Sequence, residues 1–99
     1  HRSERALVAA AQSFDPDVQL TYWGGRSFSA EFYTRGRVQF TDRIATFDSF
    51  ADNGQRDAVA IPRSVASELA PFLGPQFGSI GHYGHRILFV EDLDQEVTP

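Results

Sequence analysis

The fold of this chain is decided by one stretch of twelve residues, which reads Tyr22-Trp23-Gly24-Gly25-Arg26-Ser27-Phe28-Ser29-Ala30-Glu31-Phe32-Tyr33. Apolar and polar residues alternate over residues 18–23, and this period of two predicts a strand that ends at the glycine pair. Residues 27–35 follow as a predicted helix, with Gly36 as the glycine just beyond its end. Phe28 and Phe32 lie four positions apart on that helix, so we expect both rings on its core-facing side.

The sequence on either side of this stretch predicts three more helices and four more strands. The helices are expected over residues 3–14, from an Asp42 cap to Asn53-Gly54, and from Pro62 to about Pro71. The strands are expected over residues 38–41, 57–61, 76–83 and 86–90. A tight turn at Tyr83-Gly84 would join the last two strands.

Helices and strands therefore alternate over most of the chain, which is typical of α/β proteins. The strand–helix–strand order implies right-handed crossovers, and the apolar run of residues 57–61 is typical of a central parallel strand. We expect one α/β domain over residues 1–99, with a small, mostly parallel sheet of about five strands, flanking helices and a C-terminal antiparallel hairpin. Because the chain begins at His1 and contains no methionine, we also expect it to be part of a longer protein.

The composition excludes several classes of protein. A net charge of -4 and a pI near 5.2 argue against a general nucleic-acid-binding protein, which needs a positive field facing the phosphates. The absence of cysteine excludes disulfides and thiolate metal sites. No apolar run reaches the roughly 20 residues that cross a bilayer. The 41% hydrophobic content, with nine phenylalanines, suffices for one small core.

The candidate ligand-binding site is the turn formed by Gly24, Gly25, Arg26 and Ser27. A strand-to-helix turn brings free backbone N–H groups to the positive end of a helix dipole, and Arg26 would fork onto a phosphate. Exposed rings of the neighbouring Trp23 and Tyr33 would suit a sugar or a membrane interface. The alternatives are that the glycines only shape a tight turn, and that both rings pack against the neighbouring helix. An apolar surface patch rimmed by arginines would favour interaction with a membrane or a partner protein.

The sequence contains no pattern that demands catalysis. It has neither a G-x-S-x-G elbow nor an H-E-x-x-H motif, so we assign no catalytic residue, no metal and no cofactor. His82 and His85 flank the expected hairpin turn, and with Glu91 or Asp92 they would offer metal ligands. The spacing fixes no third ligand, and we therefore favour a solvent-exposed pair of histidines.

Most of the chain follows the pattern of a known family. The residues that match are Tyr22, Arg26, Ser27, Phe32, Tyr33, Arg37 and Val38. Residues 58–61 and 81–90 are also similar in pattern. On these residues the chain resembles the extracytoplasmic C-terminal domain of bacterial lipid-linked-sugar glycosyltransferases, of the protein-mannosyltransferase and aminoarabinose-transferase type (glycosyltransferase family 39-like).

The resemblance implies a domain on the extracytoplasmic face of the bacterial inner membrane, attached to the transmembrane portion of the same polypeptide; a cytoplasmic location is the alternative. The parent enzyme would transfer a sugar from a polyprenyl-phosphate carrier to a lipid or protein acceptor. The family's catalytic carboxylate lies in an early loop outside this chain, so no catalytic residue carries over. The domain would instead cap the membrane active site or assist substrate access, with residues 24–27 facing the lipid phosphate.

Two hypotheses from other functional classes stay open beside this one. The chain would be a stand-alone regulatory module that binds a small anion at the same turn, or a structural domain that binds proteins through the exposed edge of its sheet. Hydrophobic segments upstream of His1 in the parent protein would favour the glycosyltransferase, and a kinase, transporter or response-regulator neighbour would favour the regulatory module.

Overall fold

Five strands and five helical segments make up the part of the chain described by our computed structural model, residues 2–51 and 53–92. The strands are β1 (Gln19–Trp23), β2 (Gln39–Thr41), β3 (Asp57–Pro62), β4 (Phe77–Tyr83) and β5 (Arg86–Glu91). The α-helices are α1 (Arg2–Phe14), α2 (Phe28–Tyr33) and α3 (Arg63–Leu69). Two 3₁₀ helices cover Ile44–Phe50 and Ala70–Leu73. The predicted α/β class and the number of strands are confirmed.

The sheet is mixed, so the prediction of a mostly parallel sheet is wrong. The strand order is β2-β1-β3-β5-β4. The strand β1 pairs in parallel with β2 and β3, whereas β5 pairs antiparallel with both β3 and β4. The expected C-terminal hairpin is present, but its second strand occupies the place beside β3 and its first strand lies at the sheet edge.

Burial explains why the hairpin inserts in this order. The strand β5 is apolar on both faces, because Leu88, Phe89 and Val90 are all buried. The strand β4 carries Gly78 and Ser79, both exposed, and its pairing with β5 shifts register between Ser79 and Gly81. A strand that is apolar on both faces gains most from a central position, whereas a glycine-containing bulge is tolerated at an edge.

The two faces of the sheet support two separate cores. On β3, Ala58 and Ala60 point toward the layer of α1 and α2, while Val59 and Ile61 point toward the 3₁₀ helices and α3. The domain therefore has three layers, with the sheet in the middle. Within the described residues, no helix has both the length and the apolar character needed to cross a membrane.

The segment after β2 forms a 3₁₀ helix where an α-helix capped by Asp42 was predicted. Its N-cap is Arg43, which makes no side-chain capping bond. The residues at i and i+3 eclipse in a 3₁₀ helix, so Phe47 and Phe50 stack on one face with their ring centroids 5.8 Å apart. Both rings are buried against the sheet, and this packing selects the tighter helix.

Candidate functional site

The helix α2 turns its phenylalanines outward, so the prediction that Phe28 and Phe32 face the core is wrong. Their exposed fractions are 75% and 77%. The side of α2 that faces the domain is made of small or polar residues instead, with Ala30, Ser27 and Thr34 all buried. Because these side chains are small, α2 packs closely against α1, and the rings of Phe28 and Phe32 remain in solvent.

A serine anchors the N-terminus of α2 to α1. Ser27 is the N-cap, and its hydroxyl oxygen accepts a hydrogen bond from the Ala30 N–H at 3.1 Å. The same hydroxyl donates to Glu4 Oε1 at 2.6 Å. Because Ser27 is buried, its capping bond and its link to Glu4 fix the position of α2 as well as its start.

Ser27 belongs to a group of four polar side chains that we call the Glu4 cluster, formed by Glu4, Tyr22, Ser27 and Arg86. Arg86 Nη1 donates to Glu4 Oε1 at 3.2 Å, and both side chains are 14% exposed. The Arg86 guanidinium lies 4.7 Å from the centroid of the buried Tyr22 ring. Burial, together with the negative charge of Glu4, raises the pKa of Tyr22, which stays a neutral phenol. The cluster connects α1, β1, α2 and β5, and we assign it a structural role.

An arginine in a left-handed conformation ends α2. Arg35 has a φ of 56°, although Gly36 was predicted to be the residue just beyond the helix. The Gly36 N–H donates to the Glu31 carbonyl oxygen at 2.7 Å, and the Arg35 N–H donates to the Phe32 carbonyl oxygen at 3.2 Å. These two bonds define a Schellman motif in which the left-handed position normally favours glycine. The fold therefore holds a strained arginine at the end of α2.

The predicted turn is already engaged in contacts within the protein. The Gly24 N–H donates to the Thr41 carbonyl oxygen at 2.8 Å, with a φ of 95° that suits glycine. Arg26 donates two hydrogen bonds to the Glu31 carboxylate, with Nη2 2.9 Å from Oε1. This pairing holds the pKa of Glu31 below its usual range. A phosphate at this turn would have to replace Glu31, so anion binding by Gly24, Gly25, Arg26 and Ser27 stays a prediction.

The aromatic rings on either side of the turn are half-buried. Trp23 packs against Phe47, with ring centroids 5.5 Å apart. Tyr33 packs on the α1–α2 core and meets the Phe32 ring edge-on at 5.3 Å. These contacts agree with the interpretation that both rings pack against neighbouring helices. Among the described aromatic side chains, Phe28 and Phe32 of α2 are the most exposed.

Arginines lie in the chain just before and just after α2. The Arg26 guanidinium lies 5.2 Å from the centroid of the Phe28 ring. At the other end of α2, Arg35 and Arg37 line an open groove of about 320 Å³, which Tyr33 and Thr34 also line, together with Gln12 and Pro16. Both arginines are exposed, and neither forms an ion pair with another described residue. We call the surface formed by Phe28, Phe32, Arg26, Arg35 and Arg37 the α2 surface.

A second notable group lies at the opposite end of the sheet, where two buried carboxylates meet. Asp57 begins β3 and Glu91 ends β5, and the Asp57 N–H donates to Glu91 Oε1 at 3.1 Å. Asn53 Nδ2 donates to Asp57 Oδ2 at 2.6 Å, whereas Asp57 Oδ1 has no hydrogen-bond partner. Burial, with the Glu91 charge beside it, raises the pKa of Asp57 to about 6. Sequence reasoning missed this pair, and the only signal was an acidic residue at the start of a fully apolar strand.

The histidines and carboxylates do not assemble a metal centre in the part of the chain that the structure describes. His82 and His85 are both exposed at the hairpin, which agrees with a solvent-exposed pair. No group of three or more histidine, aspartate or glutamate side chains among residues 2–51 and 53–92 is placed to hold a metal ion.

Comparisons with known proteins leave the geometry as the main guide to function. No family model, curated protein or solved structure matches the chain.

Proposed function

We propose that this chain is a non-catalytic domain of a membrane glycosyltransferase that transfers a sugar from a polyprenyl-phosphate carrier to a lipid or protein acceptor. The domain lies at the extracytoplasmic face of the bacterial inner membrane, beside the transmembrane portion of the same polypeptide. There it caps the membrane active site or assists the entry of the substrate. The chemistry itself belongs to the membrane portion.

The α2 surface is the observation that carries the proposal. Of the seven residues that bear the resemblance, Tyr22, Ser27 and Val38 are buried and Tyr33 is half-buried, whereas Arg26, Phe32 and Arg37 are exposed. The buried residues help to hold α2 in place, and the exposed residues offer two ligand chemistries. A phenylalanine ring suits the isoprenoid chain of the carrier, and the guanidinium of Arg37, which has no ion-pair partner among the described residues, suits its phosphate.

Transfer by the complete polypeptide tests this proposal. The assay measures movement of sugar from a polyprenyl-phosphate carrier to acceptor in membranes that contain the parent protein. We expect Phe28→Ser/Phe32→Ser to reduce transfer by about tenfold or more, because a lost lipid contact of about 1.4 kcal/mol corresponds to that factor. The matched control is Phe72→Ser, since Phe72 is 55% exposed on the second 3₁₀ helix and lies outside the α2 surface.

Two results would contradict the proposal. Membranes containing the unaltered parent protein that transfer no sugar from any polyprenyl-phosphate donor would remove the glycosyltransferase assignment. Equal transfer by Phe28→Ser/Phe32→Ser and Phe72→Ser would separate the α2 surface from that activity.

The open edge of the sheet supports the second candidate, a protein-interaction domain, less well. The edge strand β4 has seven residues, but the irregularity between Ser79 and Gly81 interrupts its pairing. Bulges of this kind protect natural sheet edges against added strands. A β4-dependent complex with another protein would favour this candidate over the glycosyltransferase.

A further inference from the structure

Large exposed apolar groups on α2 are held in place rather than left loose. Phe28 and Phe32 lie one helical turn apart on the solvent side of α2, with exposed fractions of 75% and 77%. The Ser27 cap fixes the start of the helix, and the Schellman motif at Arg35 fixes its end. An apolar pair that is both exposed and rigidly presented is a feature of interaction surfaces.

The local charge is opposite in sign to that of the whole chain. Residues 24–41 contain the three arginines of the α2 surface and one acidic residue, Glu31, which gives a local charge of +2 in a chain of net charge -4. Glu31 is occupied by Arg26, whereas Arg35 and Arg37 have no ion-pair partner among the described residues. Arg35 and Arg37 are therefore the two cations of the α2 surface that are available to a negatively charged partner.

Acidic residues are also present near this surface. Pro16, on the far wall of the groove, is flanked by Asp15 and Asp17. The Asp15 carboxylate already accepts a hydrogen bond from the Asp17 N–H at 2.8 Å. Asp17 is exposed next to Pro16, so its negative charge offsets part of the attraction of Arg35 and Arg37 for a negatively charged partner.

The size of the apolar patch distinguishes a lipid surface from a protein. Two phenylalanines at this exposure offer on the order of 300 Å² of apolar area. A stable protein interface buries about 800 Å² on each partner, which is more than this patch provides. A bilayer has no such minimum, because each ring enters the boundary between headgroups and acyl chains separately while neighbouring arginines keep their charge at the phosphates.

We propose that the α2 surface docks on an anionic phospholipid bilayer. Phe28 and Phe32 insert at the boundary between the headgroups and the acyl chains, and Arg35 and Arg37 contact lipid phosphates. Arg26 remains paired with Glu31 and stacked on Phe28. This inference deepens the proposed function and rests on it only for the choice of a bacterial membrane lipid.

Sedimentation of the chain with lipid vesicles tests the apolar half of the contact. Vesicles of phosphatidylcholine alone are compared with vesicles that contain phosphatidylglycerol as the anionic lipid. We expect binding to the anionic vesicles, and a loss of about a hundredfold or more in affinity for Phe28→Ser/Phe32→Ser. The control Phe72→Ser, at an exposed phenylalanine outside the surface, should bind like the unaltered chain.

A second pair of variants tests the charged half. We expect Arg35→Gln/Arg37→Gln to weaken binding by about tenfold or more, because each arginine near an anionic surface contributes measurably to affinity. The control is Arg63→Gln, an exposed arginine at the start of α3. Added salt should weaken binding of the unaltered chain and affect the double variant less.

Three results would overturn the inference. One is the absence of binding to anionic vesicles by a folded chain, and another is equal binding to neutral and anionic vesicles. The third is a self-association without lipid that Phe28→Ser/Phe32→Ser abolishes, since the patch would then cover a second copy of the chain. Retained sugar transfer alongside absent vesicle binding would reject lipid docking and leave the proposed function standing.

Discussion

Two helical segments of this domain use the same residue type in opposite ways. The helix α2 follows β1 and carries Phe28 and Phe32, while the first 3₁₀ helix follows β2 and carries Phe47 and Phe50. The first pair is about three-quarters exposed, whereas Phe47 and Phe50 are each 4% exposed. Spacing of large apolar residues alone therefore does not show which side of a helix meets the core.

The residues on the buried side of each helical segment account for the difference. On α2, Ala30 is buried together with the polar Ser27 and Thr34, and hydrogen bonds from both polar groups secure that side. The 3₁₀ helix has no comparable anchor at its N-cap and relies on its rings. A polar, small face that is fully hydrogen-bonded can thus displace large rings from the core side of a short helix.

Truncating a ring in each segment should give the largest contrast. We expect Phe47→Ala to reduce the free energy of unfolding by about 3–5 kcal/mol, because it opens a cavity beside Trp23 and Phe50. We expect Phe32→Ala to change it by less than about 1 kcal/mol, since that ring is mostly in solvent. Urea unfolding followed by circular dichroism measures both. Similar losses in the two variants would contradict the assignment of the exposed and buried faces.

The pH dependence of stability tests the burial of Asp57, which follows the first 3₁₀ helix in the chain. Asp57, in the loop-to-strand junction that follows this helix, has a pKa raised to about 6. Because the pKa of Asp57 is raised in the folded state, protonation of this carboxyl group stabilises the fold. This contribution to the free energy of unfolding is complete below the unfolded-state pKa near 3.9 and is lost as the pH rises through about 6. We expect Asp57→Asn to raise the free energy of unfolding at pH 8 by about 1–3 kcal/mol.

The matched comparison for Asp57→Asn is the same variant at pH 5. Between pH 8 and pH 5 the stability of the unaltered chain should rise relative to the variant by about 1 kcal/mol. Urea titrations of both proteins at the two pH values give the four free energies of unfolding that this comparison needs. A constant difference between the two proteins would mean that Asp57 does not titrate in this range.

Removing the Ser27 hydroxyl should loosen the anchor of α2. We expect Ser27→Ala to reduce the free energy of unfolding by about 1–2 kcal/mol, because it removes a helix cap and a hydrogen bond to the half-buried Glu4. Ser64→Ala, at an exposed serine in α3, should have an effect below about 0.5 kcal/mol. Chemical denaturation of the two variants side by side measures this, and equal stabilities would show that the anchor is not needed.

A substitution at the end of α2 should have the smallest effect on stability, and it should separate stability from binding to vesicles. We expect Arg35→Gly to raise the free energy of unfolding by about 0.5–1 kcal/mol, because glycine adopts the left-handed conformation without strain. The same change should weaken binding to anionic vesicles, because it removes a cation of the α2 surface. Arg37→Gln should weaken binding without the gain in stability. A less stable Arg35→Gly variant would contradict the strain argument.

The sequence predicted the elements of the fold better than their arrangement. Periodicity located all five strands, because alternation along residues such as 18–23 is a local property. The order of β4 and β5 in the sheet depends on which strand is apolar on both faces, and that is decided by the layers that cover the sheet. The 3₁₀ geometry likewise depended on how Phe47 and Phe50 pack against β3 and β5.

The candidate site was predicted only in part. The turn of residues 24–27 was located correctly between β1 and α2. The outward direction of Phe28 and Phe32 was not predicted, because it depends on the contact between Ser27 and Glu4, which are 23 residues apart. The Asp57–Glu91 pair was also invisible, since 34 residues separate its members along the chain.

A single-tryptophan fluorescence measurement tests the central claim most directly, namely that α2 holds its rings outward for insertion into lipid. Trp23→Phe removes the only native tryptophan, and Phe32→Trp then places the sole reporter on the α2 surface. We predict emission typical of a solvent-exposed indole in buffer and with phosphatidylcholine vesicles, and a shift to shorter wavelength with phosphatidylglycerol vesicles. Unchanged emission with anionic vesicles, from a variant that remains folded by circular dichroism, would contradict the claim.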